Sequence, residues 1–222
     1  MTSHAFGVLV SDFDGTITKR DFYDLVVNNL LPADTTDYWS EYRAGRMTHF
    51  EALRGYFAVI QADEPTVLRL VDKMEVDPQL ASAVAKLRAN GWEVVIASAG
   101  CSWYIQRLLA EAGVNIEVHA NPGRFVSGRG LLMEMPGPGP FFSATHGIDK
   151  AAVVRHYQTL GKKVAFAGDG FPDIQAANLV PPDLRYARGD LARVLAEAGQ
   201  PFHAIHVWSD IARELLAGGR SA

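Results

Sequence analysis

Uninterrupted apolar runs alternate along the chain with stretches whose apolar residues recur every three or four positions. Phe6-Gly7-Val8-Leu9-Val10, Trp92 to Ala97 with Val94-Val95-Ile96-Ala97 at its heart, and Lys163-Val164-Ala165-Phe166-Ala167 read as strands buried on both faces. Leu80, Val84 and Leu87, then Tyr104, Ile105, Leu108 and Leu109, then Val153, Val154, Tyr157 and Leu160 fall at helical spacing. A strand is predicted over Val114 to Val118 and a short one over Arg185 to Ala187, with helices near Leu191 to Glu197 and Asp210 to Leu216. Helices that alternate with buried strands predict an α/β fold with a doubly wound, Rossmann-like parallel sheet.

One interval breaks the alternation. About 75 residues separate the first strand from the strand at Trp92, far beyond a usual crossover, so that segment must build structure of its own. Phe22, Leu25, Val26 and Leu30, then Phe50, Leu53, Phe57 and Ile60 after a capping residue at Thr48, mark helices within it. The expected organisation is a core made of 1–18 and 78–222, with a small helical domain, 19–77, inserted directly after the first strand. A hairpin is expected over Arg124 to Met135. Pro136-Gly137-Pro138-Gly139-Pro140 can be neither helix nor central strand, because proline fixes φ and lacks a donor.

Composition narrows the partners. With 222 residues, 48% of them hydrophobic, the chain can bury a sizeable core. Its 21 Lys and Arg against 25 Asp and Glu give a net charge of -4, and no basic run is present to neutralise a nucleic-acid backbone. The single cysteine, Cys101, excludes an intramolecular disulfide and a cysteine-rich metal site. No stretch of about 18 apolar residues and no basic-then-apolar leader is found, so a cytoplasmic protein without a membrane partner is expected. No feature of the sequence sets an oligomeric state.

The candidate chemistry sits at strand ends. Asp12 and Asp14 close the first apolar run in Ser11-Asp12-Phe13-Asp14-Gly15-Thr16, and Asp169 and Asp173 close another in Gly168-Asp169-Gly170-Phe171-Pro172-Asp173. In an open parallel sheet both pairs would face one crevice. Any single aspartate after a strand is more readily explained as a helix cap. Two matching acidic turns reverse that preference, because four converging carboxylates repel one another unless a cation neutralises them. A hard divalent ion with oxygen ligands fits best, and Mg²⁺ is the natural candidate. Ser98-Ala99-Gly100 after the Trp92 strand and Lys150 at a helix start offer a hydroxyl, backbone amides and a fixed charge, all suited to a phosphate.

Asp-x-Asp-Gly-Thr, then Ser, then Lys, then Gly-Asp with a second Asp four residues on, spanning Asp12 to Asp173, resembles the haloacid dehalogenase superfamily of phosphohydrolases. The resemblance implies that Asp12 is a nucleophile forming an aspartyl-phosphate and that Asp14 is general acid, then base. It further implies Mg²⁺ at Asp12, the Asp14 carbonyl and Asp169, with Asp173 acting one shell out, and phosphate contacts from Thr16, Ser98, Ala99, Gly100 and Lys150. An acid two residues after the nucleophile favours phosphoryl transfer over dehalogenation within the superfamily. The helical insert resembles the small cap of the phosphoserine phosphatase-like branch, in which Asp21 and Arg54 would lie near substrate.

Asp169 to Ala177 together with Tyr186-Ala187-Arg188 is most similar to the methionine-salvage phosphatase group, whose members act on 2-hydroxy-3-keto-5-methylthiopentenyl-1-phosphate. A small-molecule phosphate ester is therefore the expected partner. Phosphoserine hydrolysis, phosphoryl transfer to a small alcohol, and a non-catalytic phosphate-binding module remain as alternatives. Trp39, Tyr42, Tyr56 and Phe57 can either line a substrate pocket or form the insert's own core. No base is in evidence for Cys101, and the seven histidines receive no ligand role.

Overall fold

The computed structural model describes residues 6–218. In chain order these begin with β1 (Gly7–Ser11), α1 (Phe22–Asn29), α2 (Tyr38–Arg43), α3 (His49–Ala58), α4 (Glu64–Asp72), α5 (Leu80–Ala89), β2 (Trp92–Cys101), α6 (Ser102–Glu111) and β3 (Glu117–Asn121). There follow β4 (Gly123–Val126), β5 (Gly130–Met133), β6 (Phe142–Ser143), β7 (Gly147–Ile148), α7 (Lys150–Thr159) and β8 (Lys163–Gly168). The last elements are α8 (Ile174–Ala177), β9 (Arg185–Ala187), α9 (Gly189–Glu197), β10 (His203–Ala204) and α10 (Ser209–Gly218).

The six strands β10-β9-β8-β1-β2-β3 form one sheet in that order, and every pairing in it is parallel. All five residues of β1 are buried, as expected for a central strand covered on both faces. Alternation along the strands sends Val8, Val10, Val95 and Phe166 into one layer with α7 and α9. Leu9, Val94, Ile96 and Ala165 go into the other, with α5, α6 and α10. The chain winds outward from β1 to β3 on one side and returns to β8, β9 and β10 on the other. The crevice flanking β1 at the carboxyl ends is therefore the topological switch point.

Between β1 and α5 stand α1 to α4. Their buried apolar residues, Phe22, Val26, Phe50, Phe57, Val67 and Val71 among them, join the cluster that contains Leu9 and Ile96. Thr48 caps α3 through a reciprocal pair, its hydroxyl accepting from the Glu51 amide while the Glu51 carboxylate accepts from the Thr48 amide. The hairpin β4–β5 is antiparallel and lies against α3. Residues 136–140 adopt no helix or strand. Among the described residues no helix is long and apolar enough to cross a membrane.

One expectation shifts, and two helices appear that the sequence reading did not place. The third strand runs Glu117–Asn121 rather than Val114 to Val118, because β2 continues past Ala97 and draws its partner along to a pairing of Cys101 with Asn121. Helix α2 escapes the periodicity because none of its residues is buried. Helix α4 was also missed, although it carries Asp63 as a cap, Pro65 in its first turn and buried Val67, Leu70 and Val71.

Candidate active site

The end of β1 is pinned between its neighbours, with the Asp12 amide donating to the Ala167 carbonyl at 2.9 Å. That bond aims the Asp12 side chain past the sheet edge. One of its oxygens accepts from the Phe13 amide at 2.7 Å, and the other meets Lys150 Nζ at 2.8 Å. Beyond Asp12 the chain turns. The Thr16 and Ile17 amides both donate to the Phe13 carbonyl, and Gly15 adopts φ 66°, where a Cβ would collide with the Asp169 carboxylate.

Asp169 and Asp173 follow β8. Asp173 is wholly buried; one oxygen accepts from the Asp169 and Gly170 amides at 3.1 and 3.0 Å, and the other accepts from Lys150 Nζ at 2.7 Å. Asp12, Asp169 and Asp173 each present an oxygen such that the three atoms lie within 4.8 Å of one another. These donors are all hard oxygens, and the two strand ends meet as the acidic motifs predict. The three carboxylates suit a divalent cation of the Mg²⁺ or Ca²⁺ kind rather than a soft metal.

Asp14 stands apart from that group. Its carboxylate accepts from the Tyr104 hydroxyl at 2.9 Å and the Phe22 amide at 3.3 Å, and the Ser98 hydroxyl lies at 3.5 Å. The Ser98 oxygen accepts from the Gly100 amide at 2.9 Å. Serine 98 therefore does not cap α6, whose first residue follows Cys101 without a side-chain cap. Instead β2 carries 98–100 across the crevice in extended form. Gly100 is required there, since a Cβ would overlap the Tyr104 hydroxyl and an Asp14 oxygen.

Together with Tyr23, Trp39, His49, Leu53, Phe57 and Tyr104, these groups line a cleft of about 130 Å³. Five carboxyls (Asp12, Asp14, Asp21, Asp169 and Asp173) share it with one ammonium, that of Lys150. Burial, reinforced by the Asp12 charge, pushes Asp14 up to about 7, against the opposing Tyr104 and Phe22 hydrogen bonds. Burial and Asp173 push Asp169 up to about 7, and burial and Asp14 push Asp21 up to about 8. Asp12 is also raised by burial although Lys150 pulls the other way. Burial works against the Lys150 charge, but Asp12 and Asp173 more than compensate and hold it protonated.

Of the other sequence candidates, Asp21 caps α1 by accepting from the Tyr23 amide at 2.6 Å and lines the cleft. Ala99 and Gly100 line it too. Thr16 is not among the residues lining the cleft; its buried hydroxyl bonds Asp169 at 3.2 Å. Arg54 does not line the cleft. It is exposed, sits over the Phe50 ring at 5.7 Å and lines a separate hollow beside Arg46 and Leu132. The face of α3 that reaches the cleft carries His49, Leu53 and Phe57, at spacings of four, and Arg54 lies about 100° off it.

Tyr23, His49, Leu53 and Tyr104 line the cleft without having been singled out for it by the sequence reading. Tyr104 counted only as an apolar helix position, yet a buried tyrosine needs a hydrogen-bond partner, and that requirement was the available signal. His49 was one of seven scattered histidines, with nothing in the local pattern to single it out. Of the aromatic residues of the insert, Trp39 and Phe57 line the cleft, while Tyr56 is buried and donates to Asp37 at 3.2 Å. The Cys101 thiol is buried and burial pushes it up to about 12, which leaves it inert.

Comparisons with known proteins agree with this geometry. A family model described as haloacid dehalogenase-like hydrolase matches residues 9–178. A 2-hydroxy-3-keto-5-methylthiopentenyl-1-phosphate phosphatase of Brevibacillus brevis is 24% identical over 216 residues, covering 94% of each chain. Another protein of that name, from Exiguobacterium sibiricum, is 21% identical over 211 residues, covering 93% of this chain and 95% of the relative. Among solved structures, a substrate-bound phosphoserine phosphatase complex superposes with a TM-score of 0.63 at 15% identity, covering 96% of this chain and 97% of that one. At that identity the likeness concerns the fold.

Proposed function

We propose that the chain, which belongs to the haloacid dehalogenase-like hydrolases, is a phosphatase that hydrolyses the phosphomonoester of a small metabolite through an aspartyl-phosphate on Asp12. The observation that carries this reading is the division of labour between the two acids of the first motif. Asp12 lies among the cation-binding carboxylates and Lys150, whereas Asp14 is turned toward Tyr104 and Ser98 with a pKa near neutrality.

In the first step an Asp12 oxygen bonds to phosphorus as the ester oxygen departs, and Asp14, protonated, delivers its proton to that oxygen. In the second step Asp14, now ionised, takes a proton from water. The water oxygen displaces Asp12 from phosphorus, and inorganic phosphate leaves. Lys150 and the amides around 98–100 counter the charge on the transferring oxygens. Asp12, Asp169 and Asp173 would hold Mg²⁺, which when bound supplies charge neutralisation and orientation at the phosphoryl group.

Two supports bear on the substrate. The relatives from Brevibacillus brevis and Exiguobacterium sibiricum are named for a methylthio-ketose phosphate, and the cleft of this chain has an apolar side formed by Trp39, Leu53 and Phe57. A methionine-salvage phosphatase is therefore our preferred assignment. Asp12→Asn should abolish turnover of p-nitrophenyl phosphate with Mg²⁺ present while the circular dichroism spectrum stays that of the parent. Sustained turnover in the purified, folded variant would sink the mechanism.

A further inference from the structure

A second cavity, of about 710 Å³, adjoins the reaction cleft, and Trp39, His49, Ala99, Lys150 and Pro172 line both. Trp39, Tyr42, Ile148 and Phe171 give it an apolar wall, and His49 and His146 contribute polar surface. Its charged lining groups are engaged elsewhere. Lys150 serves Asp12 and Asp173, Asp149 accepts from the Ala152 amide at 2.9 Å and pairs with Arg155, and exposed Arg43 stands 3.7 Å from Asp37.

His49 is firmly placed. The neighbouring Phe50 amide donates to the Thr145 carbonyl at 2.8 Å, which ties the start of α3 to the turn that carries His146. The His49 ring packs 5.0 Å from Trp39 and 4.9 Å from His146. Its Nδ1 is buried and has no hydrogen-bond partner. Burial first, then His146 and Lys150, bring its pKa down to about 3, so it remains an uncharged imidazole able to exchange one neutral hydrogen bond. A buried polar atom left without a partner costs about 1–3 kcal/mol, which a ligand group of matching polarity removes once the cavity lining adjusts to bring the two together.

We propose that His49 is a specificity-determining residue that exchanges a hydrogen bond with an uncharged oxygen, a hydroxyl or carbonyl, of the leaving group, whose apolar remainder lies against Trp39, Tyr42 and Phe171. The inference rests on the phosphatase reading above and assigns to His49 the preference for hydroxy- or keto-bearing leaving groups with an apolar portion over amino acids. An amino-acid leaving group would bring a carboxylate to a cavity whose lysine and arginine lining is Lys150, held by Asp12 and Asp173, and exposed Arg43, 3.7 Å from Asp37, and burying that carboxylate uncompensated is costly.

The test compares kcat/KM for 2-oxohexyl and 3-oxohexyl phosphates with that for hexyl phosphate, with Mg²⁺ present. The parent should favour at least one keto ester by about tenfold or more. In His49→Phe, which keeps the ring stacking but cannot hydrogen-bond, that ratio should fall toward one. His49→Asn, which restores an amide near the Nδ1 position, should regain part of it. A parent that shows no preference, or a Phe variant that slows all three esters by one common factor, overturns the assignment of His49. Faster hydrolysis of O-phosphoserine than of either keto ester overturns the substrate class. The parent ratio decides alone if the Phe variant fails to fold. Failure of the phosphatase reading has a different signature, the absence of turnover of every ester by the parent protein.

Discussion

Lys150 is the fixed counter-charge of the acidic cleft, and its removal tests that role directly. Lys150→Met keeps a long unbranched stem and deletes an ammonium lying 2.8 Å from Asp12 and 2.7 Å from Asp173, in a site where Lys150 is 5% and Asp173 0% exposed. Breaking a buried ion pair by removing one partner costs about 3–5 kcal/mol, and here two carboxylates lose theirs together. With a urea m-value of about 2–3 kcal/mol per molar, the midpoint of the metal-free protein should fall by at least about 1 M near pH 8. The loss should shrink on acidification. Asp14 and Asp169 already stand at about 7, and Asp12, raised by burial, loses the charge that opposed the rise. Carboxyls with folded-state values above the unfolded ones, near 4, make the native state bind more protons than the unfolded chain across a window from about pH 4 to pH 7. Stability therefore increases as pH falls through that window. Excess MgCl₂ should stabilise the variant more than the parent, since a cation on the three acids replaces the missing charge. Turnover should drop about 10²–10³-fold. A parent-like urea midpoint near pH 8 in the presence of EDTA, or a loss that grows toward pH 5, would refute the reasoning.

Two further substitutions address Asp14 and Arg54. Tyr104→Phe removes a hydroxyl that donates to Asp14 at 2.9 Å and so favours its ionised form. The Asp14 pKa should rise above about 7, and the alkaline limb of the kcat/KM profile, where the protonated acid is lost, should move up by about one to two units; an unmoved limb separates Tyr104 from the acid. Arg54→Ala should leave kcat/KM for p-nitrophenyl phosphate within about twofold and stability within about 0.5 kcal/mol, and a tenfold rise in KM would return Arg54 to the site.

The parts of the site that were legible in the sequence are those fixed by a buried parallel strand. Asp12, Ser98 and Asp169 each follow a run too apolar to be anything but central, and a parallel sheet sends such ends to one edge. Lys150 was legible because it opens a strongly periodic helix with an aspartate cap just before it. Residues of the insert were read poorly for a physical reason. Its apolar side chains merge with the core on one face of the sheet, so their period reports burial without reporting which side of a helix meets the cleft. Helix α2 shows the limit: with no buried residue it has no apolar period, and it is fixed by Asp37, which accepts from the Ser40 amide and from the Tyr56 hydroxyl.

The separation of Asp12 from Asp14 follows from where β1 stops. Two residues apart on a continuing strand, both carboxylates would point to one face and would both join the cation-binding group. The strand ends at Ser11, and Phe13 is wholly buried, so the backbone must turn to keep that ring in the core. The turn at Gly15 then rotates Asp14 away from Asp169 and toward α6 and the first turn of α1. Asp14 thereby depends on two elements of one layer: Tyr104 reaches it from α6, and the Phe22 amide reaches it from the start of α1, where the helix dipole also favours an anion. Displacing α1 withdraws the Phe22 hydrogen bond and raises the Asp14 pKa, whereas Asp12, held by the Phe13 amide and Lys150, keeps its partners. Asp12 is thus set by the end of β1 and by Lys150 at the start of α7, and Asp14 by α6 and the start of α1 together.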